Sequence, residues 1–193
     1  MGEILVLRHG ATEWSKSGQH TGGTDLPLLP EGEERARSLA PAFARRHVVE
    51  VWVSPLQRAR RTAELAGLTA TAVDADLVEL DYGGYEGRTT AEISDELGRE
   101  WSVWRDPVVA GETPGETLAQ VGERVDRVLE RARARLADGD VALVAHGHVL
   151  RVLTARWLGL EPAAGALFAL PAGAYGALGH EHARPVLTGW GLG

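Results

Sequence analysis

Cysteine is absent from this 193-residue chain, and methionine and lysine occur once each, as Met1 and Lys16. The absence of cysteine excludes a disulfide framework, a thiolate metal site and a cysteine nucleophile. No apolar run reaches the length that a membrane span needs, and Arg8 interrupts the first apolar segment too early for a secretory signal. We therefore expect a cytoplasmic protein that does not enter a membrane.

Basic side chains are also in the minority. The 20 Lys and Arg residues compare with 27 Asp and Glu residues, which gives a formal net charge of −7, and 44% of the residues are hydrophobic. The acidic balance disfavours a general nucleic-acid binder, and the apolar content is too high for a disordered chain. Length and composition predict one globular domain over residues 1–193 and leave a homodimer open.

Short apolar runs alternate with helical patterns along the chain. The pattern predicts strands at 3–7, 48–53, 71–73 and 141–145, and helices at 31–46, 54–66, 116–136 and 149–158. A long polar loop is expected over 11–30, one or two short helices within 89–105, and short strands joined by Gly and Pro turns within 166–192. This alternation predicts an α/β fold, a three-layer α/β/α sandwich with a mainly parallel central sheet.

Two of the predicted strands end in a histidine followed by a glycine, as Arg8-His9-Gly10 and as His146-Gly147. In open parallel sheets, ligands bind outside the carboxyl ends of the strands, so neighbouring strands would bring both imidazoles to one crevice. A neutral imidazole is nucleophilic near pH 7, and arginine binds phosphate through a planar set of donors. The pattern suits a nucleophile that attacks phosphorus, although the first triplet alone favours a hydrogen-bonded structural histidine.

A helix start and an acidic loop supply the other candidate groups. Ser54 is predicted as the N-cap of a helix whose free N–H groups favour an anion, and Arg58 lies one turn inside that helix. Glu79 is a candidate proton donor to a leaving oxygen. Asp81 and Glu86 are equally acidic alternatives, and a loop acid in a salt bridge is the structural alternative for all three.

Six segments together make the chain similar to a known family. They are LRHGATEWS, TGGTDLPLLPEG, SPLQRARRTA, ELDYGGYEG, the GET of residues 115–117 and AHGHVLR. With these segments in this order, the chain resembles the histidine phosphatase superfamily, also called phosphoglycerate mutase-like, over nearly its whole length. EWSKSGQHTGGTDLPL, WSVWRD and AHGHVLR are most similar to the branch of small bacterial acid phosphatases and sedoheptulose-bisphosphatases.

The resemblance implies a metal-independent phosphomonoester hydrolase that uses no cofactor and acts on a small phosphorylated metabolite. It implies a phosphohistidine intermediate on His9, a phosphate pocket of Arg8, Arg58 and His146, and Glu79 as the proton donor. The residues that match substrate-binding positions are Thr12, Ser15, Thr21, Gly22 and Gly147.

A cofactor-dependent phosphoglycerate mutase and a non-catalytic phospho-ligand binder are the alternatives. True mutases typically carry an asparagine where this chain has Ser15, and a longer insertion with paired arginines where this chain has the short segment 87–115. Both differences favour the phosphatase. The presence of the nucleophile, the arginines, the second histidine and the acid disfavours the binder.

Three further features have open interpretations. His148 is either a residue that supports the site or merely the start of a helix. His180 and His182 would share one face of a strand, but no third ligand is evident, so no metal is predicted. Trp101 and Trp104 would share a helix face, where core packing is favoured over a place at the substrate entrance.

Overall fold

The computed structural model describes residues 2–193, and its centre is a six-stranded sheet. The strands are β1 (Ile4–Arg8), β2 (Val48–Val53), β3 (Ala72–Val73), β4 (Asp140–Ala145), β5 (Tyr175–Glu181) and β6 (Arg184–Leu192). They lie in the order β3-β2-β4-β1-β5-β6. Strands β3, β2, β4 and β1 run parallel to one another, whereas β5 runs antiparallel to both of its neighbours, β1 and β6. The mainly parallel sheet is therefore confirmed.

Helices flank the sheet. They are α1 (Glu13–Ser17), α2 (Pro30–Ser38), α3 (Ala40–Phe43), α4 (Gln57–Leu65), α5 (Thr90–Leu97), α6 (Leu118–Arg133) and α7 (Gly147–Trp157). Short 3-10 turns lie at Ala75–Leu77, Gly83–Tyr85 and Pro162–Leu167. Within residues 2–193 no helix has both the length and the apolar character that crossing a bilayer requires.

Alternate residues of the central strands point to opposite faces of the sheet and build two cores. Ile4 and Val6 of β1 pack with the apolar sides of α6 and α7. Leu5 and Leu7 of the same strand pack on the other face with residues of α3 and α4. Because both faces of the sheet are covered, its strands read as continuous apolar runs. The predicted three-layer arrangement is confirmed.

Two differences from the predicted elements lie in the first third of the chain. The helix predicted over 31–46 is divided between α2 and α3, and Pro41 lies in the first turn of α3. Proline has no N–H to continue the hydrogen bonds of α2, so the single helix was wrong. The predicted loop 11–30 contains α1, whose capping box joins the Thr12 and Ser15 side chains to each other's backbone N–H groups.

Two further differences lie near the predicted histidine and tryptophan pairs. Within 89–105 the structure has only α5, so Trp101 and Trp104 follow that helix and do not share a helix face. The turn between β5 and β6 is formed by His182 and Ala183, with φ of 46° and 65°, and not by glycine or proline. His182 therefore lies in the turn and not on a strand face with His180, and that prediction was wrong.

Candidate active site

The two histidines at the strand ends face each other. β1 and β4 are parallel neighbours with Arg8 opposite Ala145, so His9 and His146 leave the sheet side by side. Their ring centroids lie 5.1 Å apart in an edge-to-face arrangement. The structure thus confirms that the two His-Gly segments meet at one edge of the sheet.

His9 is held as a neutral imidazole with a defined tautomer. Its ring is buried, and Nδ1 lies 2.7 Å from the carbonyl oxygen of Gly10. Because a carbonyl oxygen can only accept, Nδ1 carries the hydrogen and Nε2 keeps its lone pair. Burial holds the pKa of His9 well below its usual value, and the charges of Arg8 and Arg58 lower it further. Nε2 of His9 therefore keeps at neutral pH the lone pair that a nucleophile needs.

Gly10 allows the backbone that follows β1 to pass close to the backbone of α2. A Cβ at this position would lie 2.4 Å from the carbonyl oxygen of Gly32. The Gly10 amide donates to Oγ1 of Thr62 in α4 at 3.0 Å. The backbone after His9 is thereby fixed between α2 and α4, which fixes the direction of the His9 ring.

Arg58 joins the helix start, the second histidine and the loop after α1. Its side chain is fully buried, and Nε donates to Nδ1 of His146 at 3.1 Å. Nη1 donates to the carbonyl oxygen of Thr24 at 2.7 Å, and Nη2 donates to those of Thr21 and Gly22 at 3.2 and 3.0 Å. The sequence predicted Arg58 in the crevice, but it gave no signal for this set of backbone acceptors.

The two acids considered as alternatives to Glu79 bind loop amides. The carboxylate of Glu86 accepts from the amides of Gly22 at 2.9 Å and Thr24 at 3.1 Å. Asp81 accepts from the Gly83 amide at 2.9 Å. Glu86 therefore holds the same loop whose carbonyl oxygens hold Arg58, and Asp81 organises the turn that follows Glu79.

Glu79 lies at the N-terminus of α7. Its carboxylate is buried, with Oε1 accepting from the amides of Leu80 at 3.0 Å and Val149 at 2.9 Å, and Oε2 accepting from the amide of His148 at 3.0 Å. The His148 and Val149 amides are free because the first N–H groups of a helix have no partner within it. The structure brings Glu79 beside the segment that carries His146, as the predicted crevice requires.

His146 has a second buried partner, Ser54. Nε2 of His146 lies 2.7 Å from Oγ of Ser54. Burial lowers the pKa of His146 well below its usual value, and the neighbouring His9 and Arg58 act in the same direction. The helix α4 starts at Gln57 with extended Leu56 as its N-cap residue, so the prediction of Ser54 as the cap was wrong. The Ser54 hydroxyl lies toward the adjacent strand end instead.

Arg8 lies against the start of α7. Its Nη1 donates to the carbonyl oxygen of Leu170 at 2.7 Å, and its buried Nε has no hydrogen-bond partner within residues 2–193. A Cβ on residue 147 would lie 3.2 Å from Cζ of Arg8, so Gly147 leaves room for the guanidinium. Arg8, Arg58, His9 and His146 form one cluster of guanidinium and imidazole groups, which we call the basic pocket.

The polar side chains predicted to line the substrate site make local bonds. Oγ1 of Thr12 accepts from the Ser15 amide at 3.2 Å, and Oγ of Ser15 accepts from the Thr12 amide at 2.8 Å. Oγ1 of Thr21 donates to the carbonyl oxygen of Gln19 at 3.2 Å. These bonds stabilise the loop between β1 and α2 from within.

A row of rings borders Glu79, and it includes His148 and Trp104, whose roles the sequence had left open. His20 stacks on Tyr82 with centroids 4.6 Å apart, the Tyr82 hydroxyl lies 2.6 Å from Nδ1 of His148, and the Trp104 ring lies 5.0 Å from that of His148. Burial lowers the pKa of both imidazoles and raises that of Tyr82, which favours the uncharged form of all three groups at neutral pH. Of the paired tryptophans, Trp101 is a core residue at 1% exposure, whereas half-buried Trp104 faces this row.

His180 belongs to the core side of β5. Its ring lies 4.9 Å from the ring of Trp157. In the part of the chain that the structure describes, His, Asp and Glu side chains form no group of three arranged to hold a metal ion.

Comparison with known proteins agrees with this geometry. The model of the histidine phosphatase superfamily (branch 1) matches residues 4–193. The chain belongs to this superfamily. An acid phosphatase of Mycobacterium tuberculosis is 39% identical over 191 residues, which cover 98% of this chain and 92% of the relative. The sedoheptulose 1,7-bisphosphatase of Saccharomyces cerevisiae is 37% identical over 186 residues, covering 81% of this chain and 67% of the relative.

The structural comparison gives the same result. A solved structure of a Mycobacterium tuberculosis open reading frame superposes with a TM-score of 0.92 at 38% identity, covering 99% of this chain and 97% of that chain. The predicted family and the predicted similarity to acid phosphatases and sedoheptulose-bisphosphatases are confirmed, and this histidine phosphatase is an enzyme that hydrolyses phosphate esters.

Proposed function

We propose that this histidine phosphatase is a metal-independent phosphomonoesterase of the acid phosphatase type that acts on a small phosphorylated metabolite through a phosphohistidine on Nε2 of His9. The observation that carries the proposal is the state of His9. Its Nδ1 is bound to the Gly10 carbonyl oxygen, its Nε2 is free, and its pKa is held well below the usual value beside two guanidinium groups. This arrangement supplies an unprotonated nucleophile next to donors for a phosphoryl group.

In the first step, the lone pair of His9 Nε2 attacks phosphorus while the bond from phosphorus to the alcohol oxygen breaks. Arg8, Arg58 and His146 bind the phosphoryl oxygens, because guanidinium and N–H donors stabilise the charge that develops there. Glu79 gives a proton to the leaving oxygen, which departs as the alcohol. The proton reaches Glu79 from a singly ionised phosphomonoester, which becomes a dianion as it gives the proton up.

In the second step, water attacks the phosphohistidine. Glu79 now takes the proton from that water, the bond from phosphorus to nitrogen breaks, and neutral His9 is restored. Inorganic phosphate takes this proton from Glu79 and leaves as its singly ionised form, so Glu79 is ionised again for the next substrate. The residues proposed to contact substrate around these groups are Thr12, Ser15, Thr21, Gly22 and Gly147. A cytoplasmic location and a homodimer stay predictions.

Hydrolysis of p-nitrophenyl phosphate with and without EDTA tests the proposal. We expect turnover that EDTA does not change and that inorganic phosphate and vanadate inhibit competitively. Activity lost in EDTA and restored by a divalent cation would contradict the metal-independent reaction. A panel of phosphorylated metabolites then identifies the substrate, with 3-phosphoglycerate plus 2,3-bisphosphoglycerate as the control for a mutase, which would isomerise rather than release phosphate.

A further inference from the structure

Ser54 is a buried polar residue that the proposed steps do not use. It is fully buried at the end of β2, and its amide donates to the carbonyl oxygen of Val144 in β4 at 3.0 Å. Its hydroxyl oxygen lies 2.7 Å from Nε2 of His146. The pairing of β2 with β4 thus places this hydroxyl against the edge of the second imidazole.

The other edge of that imidazole fixes the direction of the bond. Nε of Arg58 lies 3.1 Å from Nδ1 of His146, and a guanidinium can only donate, so Nδ1 accepts. In the neutral ring the hydrogen is then on Nε2, which donates to Oγ of Ser54. Buried groups therefore bind both ring nitrogens of His146: Ser54, which precedes α4, and Arg58, which lies within α4.

We propose that Ser54 is a positioning residue that anchors Nε2 of His146 so that Nδ1 is the atom presented to the phosphoryl group. The proposal rests on the proposed function, since it assigns His146 a phosphoryl oxygen to bind. To donate to that oxygen, Nδ1 must take up a proton from solvent as the phosphoryl group binds, because the one proton of a singly ionised phosphomonoester goes to Glu79 in the proposed first step. Nε2–H continues to donate to Ser54 while the N–H of Arg58 Nε turns to the phosphate.

The Ser54 hydroxyl also affects which protonation state of His146 is favoured. In the phosphate-bound form both ring nitrogens carry hydrogens, and each buried N–H needs an acceptor. Ser54 supplies the acceptor for Nε2, and the phosphoryl oxygen supplies the acceptor for Nδ1. Without the hydroxyl, Nε2–H would be buried and unpaired, which disfavours the protonated ring and leaves it free to rotate away.

The test compares Ser54→Ala and Ser54→Thr with Ser38→Ala. Ser38 is exposed, and its hydroxyl donates to the carbonyl oxygen of Arg35, so it controls for a serine lost far from the site. We expect Ser54→Ala to lower kcat/KM for p-nitrophenyl phosphate about tenfold to hundredfold, the effect of one unpaired buried group. Ser54→Thr keeps the hydroxyl and should recover most of this loss.

Nitrogen chemical shifts of the histidine side chains separate positioning from a purely structural role. In the unmodified protein, saturating inorganic phosphate should convert Nδ1 of His146 from an acceptor to a protonated nitrogen. In Ser54→Ala the same conversion should require a lower pH and a higher phosphate concentration. If Ser54→Ala does not fold, Ser54→Cys, whose sulfur is a weak acceptor, takes its place.

Two results would overturn the proposal. One is a folded Ser54→Ala protein whose kcat/KM and phosphate-dependent shifts equal those of Ser38→Ala. The other is a phosphate-bound protein in which Nδ1 of His146 stays unprotonated. Failure of the proposed function looks different, because the unmodified protein would then not hydrolyse p-nitrophenyl phosphate, whereas the phosphate titration would still report on the anchoring of His146.

Discussion

The carboxylate of Glu79 accepts a hydrogen bond at 2.9 Å from the amide of Val149, a residue 70 positions further along the chain. Together with the bond from the His148 amide at 3.0 Å, this contact places an acid at the unpaired N–H groups of α7. The same helix follows His146, so these two contacts set the distance between the acid and the basic pocket. Glu79 thus has a structural and a proposed chemical role, and the two need separate tests.

Glu79→Gln tests the chemical role. Glutamine keeps one acceptor oxygen for the α7 amides but cannot give a proton, so it should slow phosphoryl transfer to His9 by about 10²–10⁴-fold for a poor leaving group such as glycerol. The loss should be much smaller for p-nitrophenolate, which departs with little protonation. Single-turnover rates with glycerol 2-phosphate and p-nitrophenyl phosphate measure the difference.

The matched control for this prediction is Glu130→Gln, since Glu130 is exposed on α6 away from the site. It should leave both rates unchanged. Equal losses on the two substrates with Glu79→Gln would show that the carboxyl does not protonate the leaving oxygen, and Asp81 or Glu86 would then be tested in the same way.

His9→Ala should abolish turnover and leave the fold intact, because the ring lies at a strand end outside the two apolar cores. Acid-labile phosphate should be trapped on the unmodified protein during turnover and be absent from the variant. His47→Ala, which removes an exposed imidazole, is the control and should keep both activity and the trapped phosphate. A folded His9→Ala protein with normal activity would refute the assignment of the nucleophile.

Gly22→Ala should disturb the basic pocket through the loop that holds Arg58. A Cβ at Gly22 would lie 2.7 Å from the carbonyl oxygen of Leu80 and 2.8 Å from Oε2 of Glu86, so the loop must move and release Arg58. We expect a stability loss of about 1–3 kcal/mol, as for other added carbons in packed sites, and a lower kcat/KM. Chemical denaturation and steady-state kinetics measure the two effects.

The neighbouring glycine provides the control for that loop. A Cβ on Gly23 would meet nothing within 4 Å, so Gly23→Ala should change neither quantity appreciably. If Gly22→Ala and Gly23→Ala had the same stability and the same kcat/KM, the position of the loop would not affect Arg58.

The sequence was sufficient for the sheet and for the main catalytic candidates, for an identifiable physical reason. The apolar strands and the amphipathic α6 are local patterns, and a parallel sheet brings the residues that follow neighbouring strands to one edge. This is why His9, Arg58 and His146 were predicted together. Glu79 was a candidate by its acidity alone, with Asp81 and Glu86 as equal alternatives, and the family motifs favoured it among the three.

What the sequence did not reveal depends on contacts between distant segments. The bonds from Arg58 to Thr21, Gly22 and Thr24 use backbone carbonyl oxygens, which every residue type carries and no motif marks. The partner of Ser54 was missed because a serine before a proline at a helix start is equally typical of an N-cap. The division between α2 and α3 had a local signal in Pro41, which the helical pattern of the surrounding residues outweighed.

The pH dependence of activity should reflect the lowered pKa of His9. An exposed histidine is half protonated near pH 6.5, whereas burial and the two arginines keep His9 unprotonated well below that value. We therefore expect kcat/KM for p-nitrophenyl phosphate to persist below pH 6.5 and to fall only in more acidic solution. An activity that titrates away with a midpoint near 6.5 would show that His9 is not held neutral in the free enzyme.

The free energy of unfolding, in contrast, should decrease in the same acidic range in which activity persists. Burial lowers the pKa of four histidines in the folded protein, His9, His20, His146 and His148. As the pH falls below about 6.5, the unfolded chain binds protons at these positions before the folded chain does, so the free energy of unfolding must decrease. Each such histidine contributes up to about 1 kcal/mol of this decrease between pH 7.5 and pH 5.5.

Urea denaturation at the two pH values should show this decrease in the free energy of unfolding. His20→Gln should make the decrease smaller by up to the contribution of one histidine. The control His47→Gln changes an exposed residue and should leave the decrease as it is. A free energy of unfolding that is unchanged or larger at pH 5.5 would mean that these imidazoles are protonated in the folded protein, contrary to the neutral His9 that the proposed reaction requires.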